Sequence, residues 1–155
     1  MTNKLTVKNP FLLKEASPLK RILHIDDHVD SRELVSVMLG GAHGCIVESI
    51  ASAKDIARFD DRPPFDLYIV DLWLPGVSGT DLIRRLRSAG ITKPIVAFSG
   101  AAHDEVRAEA FAVGANVFLA KPNGIERIFD VARSLLSSDG DSGLSGGRPI
   151  RNNVT

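Results

Sequence analysis

The chain has 155 residues, of which 44% are hydrophobic and 25% are charged, and its 19 basic and 19 acidic side chains cancel at pH 7. This length is typical of one domain with a sizeable core, and zero net charge argues against general binding to nucleic acid or to a membrane surface. The single cysteine, Cys45, cannot form an internal disulfide, and no apolar run approaches the ~18 residues of a membrane span. The N-terminus also lacks the continuous apolar stretch of a signal peptide, so we expect a cytoplasmic protein.

Five short apolar runs are predicted to be β-strands. They lie at 22–26, 45–50, 66–72, 94–99 and 116–120. The last three are almost continuously apolar, which is typical of strands that helices cover on both faces. A stretch of helical periodicity follows each run. This alternation predicts an α/β fold with a doubly wound, five-stranded parallel sheet.

The predicted helices cover 30–40, 52–60, 79–89, 104–113 and 124–136. In the third of them, helical spacing places Leu82, Ile83 and Leu86 on one face and leaves the arginines in solvent. The segments outside the alternation differ in composition, and the C-terminal one is rich in Ser and Gly. We therefore expect an N-terminal arm over 1–19, one domain over 20–137 and a flexible tail over 138–155.

Polar residues follow the apolar runs at the carboxyl ends of four strands. They are Asp26, Asp27, Asp71, Ser99 and Lys121. Because a doubly wound sheet binds its ligands at this edge, we expect these side chains to lie together. An aspartate at such a point is also a common helix N-cap, but a cap accounts for two adjacent aspartates only weakly.

These residue types favour phosphoryl chemistry around a metal ion. Three carboxylates can hold a hard cation such as Mg²⁺ or Mn²⁺. Lys121 can bind a phosphate oxygen, and the Ser99 hydroxyl can donate to another. Asp71 is the predicted nucleophile and would form an acyl phosphate, because Asp26 and Asp27 suffice to anchor the metal.

The chain resembles the receiver domain of two-component response regulators in four motifs, each of which lies at the end of a predicted strand. They are "DD" at 26–27, "DLWLPGVSG" at 71–79, "FSG" at 98–100 and "KP" at 121–122. The resemblance covers roughly residues 20–137. It implies a flavodoxin-like (βα)5 fold with strand order 2-1-3-4-5.

The resemblance also implies a role for each matching residue. Asp26 and Asp27 match the acidic pair that binds Mg²⁺, Asp71 matches the phosphoacceptor, and the backbone carbonyl of Trp73 would be a further metal ligand. The large Trp73 side chain, where the family more often has Met or a smaller residue, would overhang the site.

Four further positions match the family's signalling residues. Ser99 matches the switch hydroxyl, Phe118 the switch aromatic and Lys121 the phosphate-binding lysine, which Pro122 follows, often after a cis peptide. Asn116 stands where some DNA-binding members use an acid in their dimer contacts. The four histidines, His24, His28, His43 and His103, lack metal-ligand spacing, and we interpret them as structural or surface residues, with His28 nearest the site.

The function that the resemblance implies is that of a stand-alone bacterial response regulator. A sensor histidine kinase or a histidine phosphotransfer protein would phosphorylate Asp71, and the phosphoprotein would signal by changing shape, with no enzymatic activity beyond its own phosphorylation and hydrolysis. The alternative is a phosphorelay shuttle, which uses the same residues. A pseudo-receiver would lack the Asp or the Lys, and an aspartyl hydrolase commonly needs D-x-D, where this chain has Trp73.

We further expect partners that are proteins, with neither nucleic acid nor membrane among them. The predicted assembly is a homodimer through the last helix and the terminal segments. The N-terminal arm is too apolar for a freely solvated segment, because it carries Leu5, Val7, Phe11, Leu12 and Leu13.

Overall fold

The computed structural model describes residues 18–41, 44–59 and 64–138. Its strands are β1 (Lys20–Ile25), β2 (Cys45–Ile50), β3 (Leu67–Asp71), β4 (Ile95–Ser99) and β5 (Val117–Ala120). All of them pair in parallel, in the order β2-β1-β3-β4-β5. The predicted fold class and strand order are therefore confirmed.

In the described part of the chain, four α-helices connect or follow the strands. They are α1 (Val29–Leu39), α2 (Gly79–Ser88), α3 (Asp104–Ala112) and α4 (Gly124–Ser138). Each lies within two residues of its predicted bounds, which is the ordinary variation of helix ends. Within the described ranges, no helix has the length and apolar character that crossing a bilayer requires.

The segment predicted as a helix over 52–60 forms a 3-10 helix, Ala53–Phe59, instead of an α-helix. It has no fully buried residue, and Ile56 and Phe59 are only partly buried against the core. Because only partly buried side chains anchor the segment to the core, little packing stabilises an α-helix here.

The sheet separates two apolar clusters, one on each face. Alternate residues of β3 enter opposite clusters, with Leu67 and Ile69 on one side and Tyr68 and Val70 on the other. The first cluster also contains buried residues of α1 and α4, and the second contains buried residues of α2 and α3. Burial on both faces explains why the central runs are apolar without alternation.

Arg87 of α2 departs from the expectation that the arginines of this helix lie in solvent. Its guanidinium donates five hydrogen bonds of 2.7–3.0 Å. The acceptors are the backbone carbonyls of Ile91, Lys93 and Gly114 and the side-chain Oδ1 of Asn116. Asn116 Oδ1 also accepts the backbone N–H of Ile95 at 2.8 Å, so this network ties together the amino ends of β4 and β5.

Two predictions fall largely on residues outside the described ranges. The N-terminal arm is described only at residues 18 and 19, and the C-terminal tail only at residue 138. The predicted apolar contacts of the arm, at Leu5, Val7, Phe11, Leu12 and Leu13, therefore lie outside the described residues. The same holds for the part of the predicted homodimer contact that involves the terminal segments.

Candidate functional site

The carboxyl ends of β1 and β3 bring three carboxylates together at the middle of the sheet. Asp26 is fully buried, Asp71 is 2% exposed and Asp27 is exposed to solvent. One ligand atom from each of them, together with one ring nitrogen of His28, lies within 4.8 Å of all the others. The three predicted aspartates therefore form one cluster at the predicted edge of the sheet.

Lys121, which directly follows β5, extends its ammonium into this cluster. Its Nζ donates to Asp26 Oδ2 at 2.6 Å and to Asp71 Oδ2 at 2.9 Å. Burial lowers the pKa of Lys121, but the two carboxylates outweigh burial and raise that pKa above its usual value. Lys121 is therefore a fixed cation between two aspartates, and its peptide bond to Pro122 is cis, as the resemblance implies.

Asp26 is the most strongly held of the three carboxylates. Burial raises its pKa, but contacts with His24, Lys121, Ser31 and the backbone N–H of His28 hold the pKa well below the ordinary value. The His28 N–H donates to Oδ1 at 2.9 Å, and the Ser31 hydroxyl donates to Oδ2. Asp26 is therefore ionised, although it lies in the interior.

The contact from Ser31 was not predicted from the sequence. Ser31 stands in the first turn of α1, five residues after Asp26, where the helix begins over the end of β1. A small hydroxyl residue in that turn is the signal that could have indicated the contact. Arg32, its neighbour, donates to the backbone carbonyl of Asp26 at 2.8 Å.

The Asp71 carboxylate is held from two sides. Its Oδ1 accepts the backbone N–H of Trp73 at 2.9 Å, and its Oδ2 accepts Lys121. Gly79 packs against the turn that follows, where an added Cβ would stand 2.2 Å from the Asp71 carbonyl oxygen. Glycine is therefore required there, because α2 begins directly against the backbone that presents Asp71.

Ser99 and Phe118 lie on the two neighbouring strands that complete this edge. Ser99 is fully buried, and its Oγ accepts the backbone N–H of Ala101 at 3.1 Å. Phe118 is buried in the core, with the guanidinium carbon of Arg107 5.2 Å from its ring centre. Both predicted switch residues thus pack inside the domain.

An open pocket gives access to Asp71. Its lining consists of His28, Ser31, Asp71, Trp73, Gly100 and Lys121. Trp73 lines this pocket and is 65% exposed, so a large residue stands beside the route to Asp71.

Two histidines flank the acidic pair. His24 of β1 is fully buried, and within the described residues its ring nitrogens make no hydrogen bond, although Nε2 lies 3.6 Å from Asp26 Oδ2. His28 Nδ1 lies 3.0 Å from Asp27 Oδ1 and 3.3 Å from Asp26 Oδ1. His28 is thus part of the site, where the sequence indicated only that it lies nearby. His103 is exposed before α3, and His43 lies outside the described residues.

The cluster fits a divalent metal ion. Three carboxylates face one ammonium, which leaves uncompensated negative charge at the pocket. Hard cations prefer oxygen ligands and retain several waters, and the partly exposed Asp27 carboxylate leaves room for them.

Residues 22–133 match the model of the response regulator receiver domain. The chain therefore belongs to this family. It is 32% identical over 130 residues to the alkaline phosphatase synthesis transcriptional regulatory protein SphR of Synechococcus elongatus, an alignment that covers 78% of this chain and 50% of that protein. The chain spans about half the length of the curated relatives it matches.

Solved structures agree with this assignment. The receiver domain of NtrX from Brucella abortus is 32% identical and superimposes with a TM-score of 0.67, covering 76% of this chain and 98% of that one. The chemotaxis response regulator CheY4 of Vibrio cholerae is 26% identical and also superimposes with a TM-score of 0.67, with the same coverage. The five-stranded fold described above is thus a receiver fold.

Proposed function

We propose that this chain accepts a phosphoryl group on Asp71 from the phosphohistidine of a sensor histidine kinase or a histidine phosphotransfer protein. The observation that carries the proposal is the position of Asp71, which lines an open pocket while one of its oxygens accepts Lys121 Nζ at 2.9 Å. A carboxylate beside a fixed cation can attack phosphorus while the cation binds the oxygens of the transferred group.

In the proposed reaction, an oxygen of Asp71 forms a bond to phosphorus as the bond from phosphorus to the donor imidazole breaks. Lys121 exchanges Asp71 Oδ2 for a phosphoryl oxygen, since an ammonium binds either group as a point charge. A bound Mg²⁺ or Mn²⁺ would neutralise charge on the phosphoryl oxygens, and Asp26, Asp27, Asp71 and the backbone carbonyl of Trp73 would hold it. The chain would act on no other substrate.

The signal would pass through Ser99 and Phe118. Within the described residues, the Ser99 hydroxyl makes one hydrogen bond, as an acceptor, so its proton can be donated to a phosphoryl oxygen. Ala97 of β4 pairs with Phe118 of β5, so a movement of the backbone near the end of β4 would change the position of Phe118. We propose that the signal reaches protein partners in the cytoplasm and that the domain forms a homodimer through α4.

The test is phosphorylation of the purified chain by acetyl phosphate in Mg²⁺, followed by intact mass. We expect one added phosphoryl group on the unchanged chain and none on Asp71→Asn, with the same circular dichroism. Asp130→Asn, at an exposed aspartate of α4, is the matched control and should behave like the unchanged chain. Equal phosphorylation of Asp71→Asn would overturn the proposal.

A further inference from the structure

The imidazole of His28 stands among the carboxylates in a way that the phosphorylation chemistry does not use. Its Nδ1 lies 3.0 Å from Asp27 Oδ1, 3.3 Å from Asp26 Oδ1 and 4.0 Å from Asp71 Oδ2. The side chain makes no capping hydrogen bond to α1, although His28 is the N-cap residue of that helix. The helix leaves the ring nitrogen free of a capping bond, and Nδ1 instead lies at hydrogen-bonding distance from the carboxylates of Asp26 and Asp27.

These separations fit ligands of a single ion. In an octahedral site with metal–ligand distances of about 2.1 Å, neighbouring ligands lie about 3.0 Å apart and opposite ligands about 4.2 Å apart. All three distances from His28 Nδ1 fall between those two values. One imidazole nitrogen and three carboxylate oxygens can thus reach one ion with small side-chain adjustments.

A second histidine supports a site that is completed by an ion. His24 is fully buried, its ring nitrogens have no hydrogen-bond partner among the described residues, and Nε2 lies 3.6 Å from Asp26 Oδ2. A buried ring nitrogen without a hydrogen-bond partner lowers the stability of the fold. A closer contact between His24 Nε2 and Asp26 Oδ2 is therefore favoured once the oxygens of Asp26 rearrange. Lys121 now occupies the same oxygen, and it would vacate that oxygen on binding a phosphoryl group.

The identity of the ligands decides which ion binds best. Mg²⁺ favours oxygen ligands and water, whereas imidazole suits first-row transition metals, whose affinities rise from Mn²⁺ through Co²⁺ to Ni²⁺. We infer that His28 is a nitrogen ligand at this site and that the chain binds divalent transition-metal ions, Ni²⁺ and Co²⁺ among them, far more tightly than Mg²⁺. The inference deepens the proposed function, on which it rests, because the same carboxylates serve both.

The chain offers a direct readout of binding. Trp73 is its single tryptophan and lines the pocket, so quenching of its fluorescence by Ni²⁺ or Co²⁺ reports this site. The variants are His28→Ala and, as matched control, His103→Ala. His103 is also an N-cap residue without a side-chain capping bond, and it precedes α3.

We expect His28→Ala to weaken Ni²⁺ binding at least tenfold, to change Mg²⁺ binding by less than threefold, and to leave circular dichroism unchanged. His103→Ala should match the unchanged chain for both ions. Electron spin-echo spectroscopy of Mn²⁺ bound to the unchanged chain should show coupling to an imidazole nitrogen, and this measurement needs no variant to fold. Equal Ni²⁺ affinity in His28→Ala, or a spectrum without nitrogen coupling, would overturn the inference.

Phosphorylation by acetyl phosphate in Mg²⁺, measured on the same preparations, separates the two ideas. If the unchanged chain is not phosphorylated but its Ni²⁺ affinity depends on His28, the proposed function fails and the metal inference stands. If phosphorylation is normal but Ni²⁺ affinity does not depend on His28, the metal inference alone fails.

Discussion

Lys121 and Asp71 form an ion pair at the carboxyl edge of the sheet, with Nζ 2.9 Å from Oδ2 and side chains 22% and 3% exposed. The same ammonium is bonded to Asp26 at 2.6 Å. One cation thus compensates two carboxylates that are almost entirely buried. Removal of the cation would leave both charges in the interior, which is far more costly than the loss of a surface pair.

Lys121→Ala should therefore lower the free energy of unfolding by about 3 kcal/mol in the absence of divalent ions. Mg²⁺ should restore part of the loss, because an ion in the cluster compensates the same carboxylates. Urea unfolding with EDTA and with Mg²⁺ measures both effects. Lys54→Ala, at an exposed lysine of the 3-10 helix, is the control. A stability equal to that of the unchanged chain in EDTA would contradict the prediction.

Asp26 should make stability depend on pH in acid. Its pKa in the folded chain is lowered, so the unfolded chain takes up a proton first as the pH falls. The stabilisation is fully present above the ordinary aspartate pKa of about 3.9 and is lost as the pH falls towards the folded value, by up to about 1.4 kcal/mol per pH unit. Asp26→Asn should remove this component from unfolding curves measured in EDTA between about pH 4 and pH 2. An unchanged slope would show that Asp26 is not responsible.

Trp73→Ala should shorten the half-life of the phosphorylated state, within about tenfold, or roughly 1.4 kcal/mol of barrier. The exposed indole lines the pocket and would restrict water at Asp71, and its loss opens that route. Mg²⁺ affinity should hardly change, because the proposed ligand is the backbone carbonyl. Loss of label from phosphorylated protein measures the half-life, with Phe111→Ala, an exposed aromatic of α3, as control. An unchanged or longer half-life would mean that the indole does not restrict water.

Gly79→Ala should lower the free energy of unfolding by about 1–3 kcal/mol and impair phosphorylation of Asp71. The new Cβ would stand 2.4 Å from Leu72 Cα as well as against the Asp71 carbonyl, and backbone atoms cannot move aside as flexible side chains can. Thermal unfolding measures the first effect. Gly100→Ala is the stability control, since a Cβ there meets nothing within 4 Å. Equal loss in both variants would exclude a specific contact at Gly79.

The fold and the position of the site were predictable because they follow from short-range patterns. Apolar runs ending in Asp26, Asp71 and Ser99 indicate both the strands and their polar ends, and parallel topology then brings those ends together. The bounds of β4, for example, differ from the prediction by one residue. The polar residues at the carboxyl ends of β1, β3 and β5 were enough to locate the cluster.

The features that were not predicted depend on contacts between distant parts of the chain or on helix placement. Helical spacing predicts that Arg87 lies in solvent, but its main hydrogen-bond acceptors, Gly114 and Asn116, are 27 and 29 residues away. In the sequence, His24 is a polar residue in an apolar strand. Only the position of β1 between β2 and β3 shows that its side chain is fully buried. Periodicity carries no information on such contacts.

The network around Arg87 has a mechanical consequence for the whole sheet. It fastens β4 and β5 at their amino ends, where Asn116 bridges Arg87 and the start of β4. The carboxyl ends of the same strands lead into Ser99 and Lys121. Because the amino ends of β4 and β5 are held together, a displacement at their carboxyl ends would move the two strands about the same fixed point. We therefore expect the largest movement in the loops before α3 and α4, and we expect a partner to distinguish the phosphorylated domain by these loops.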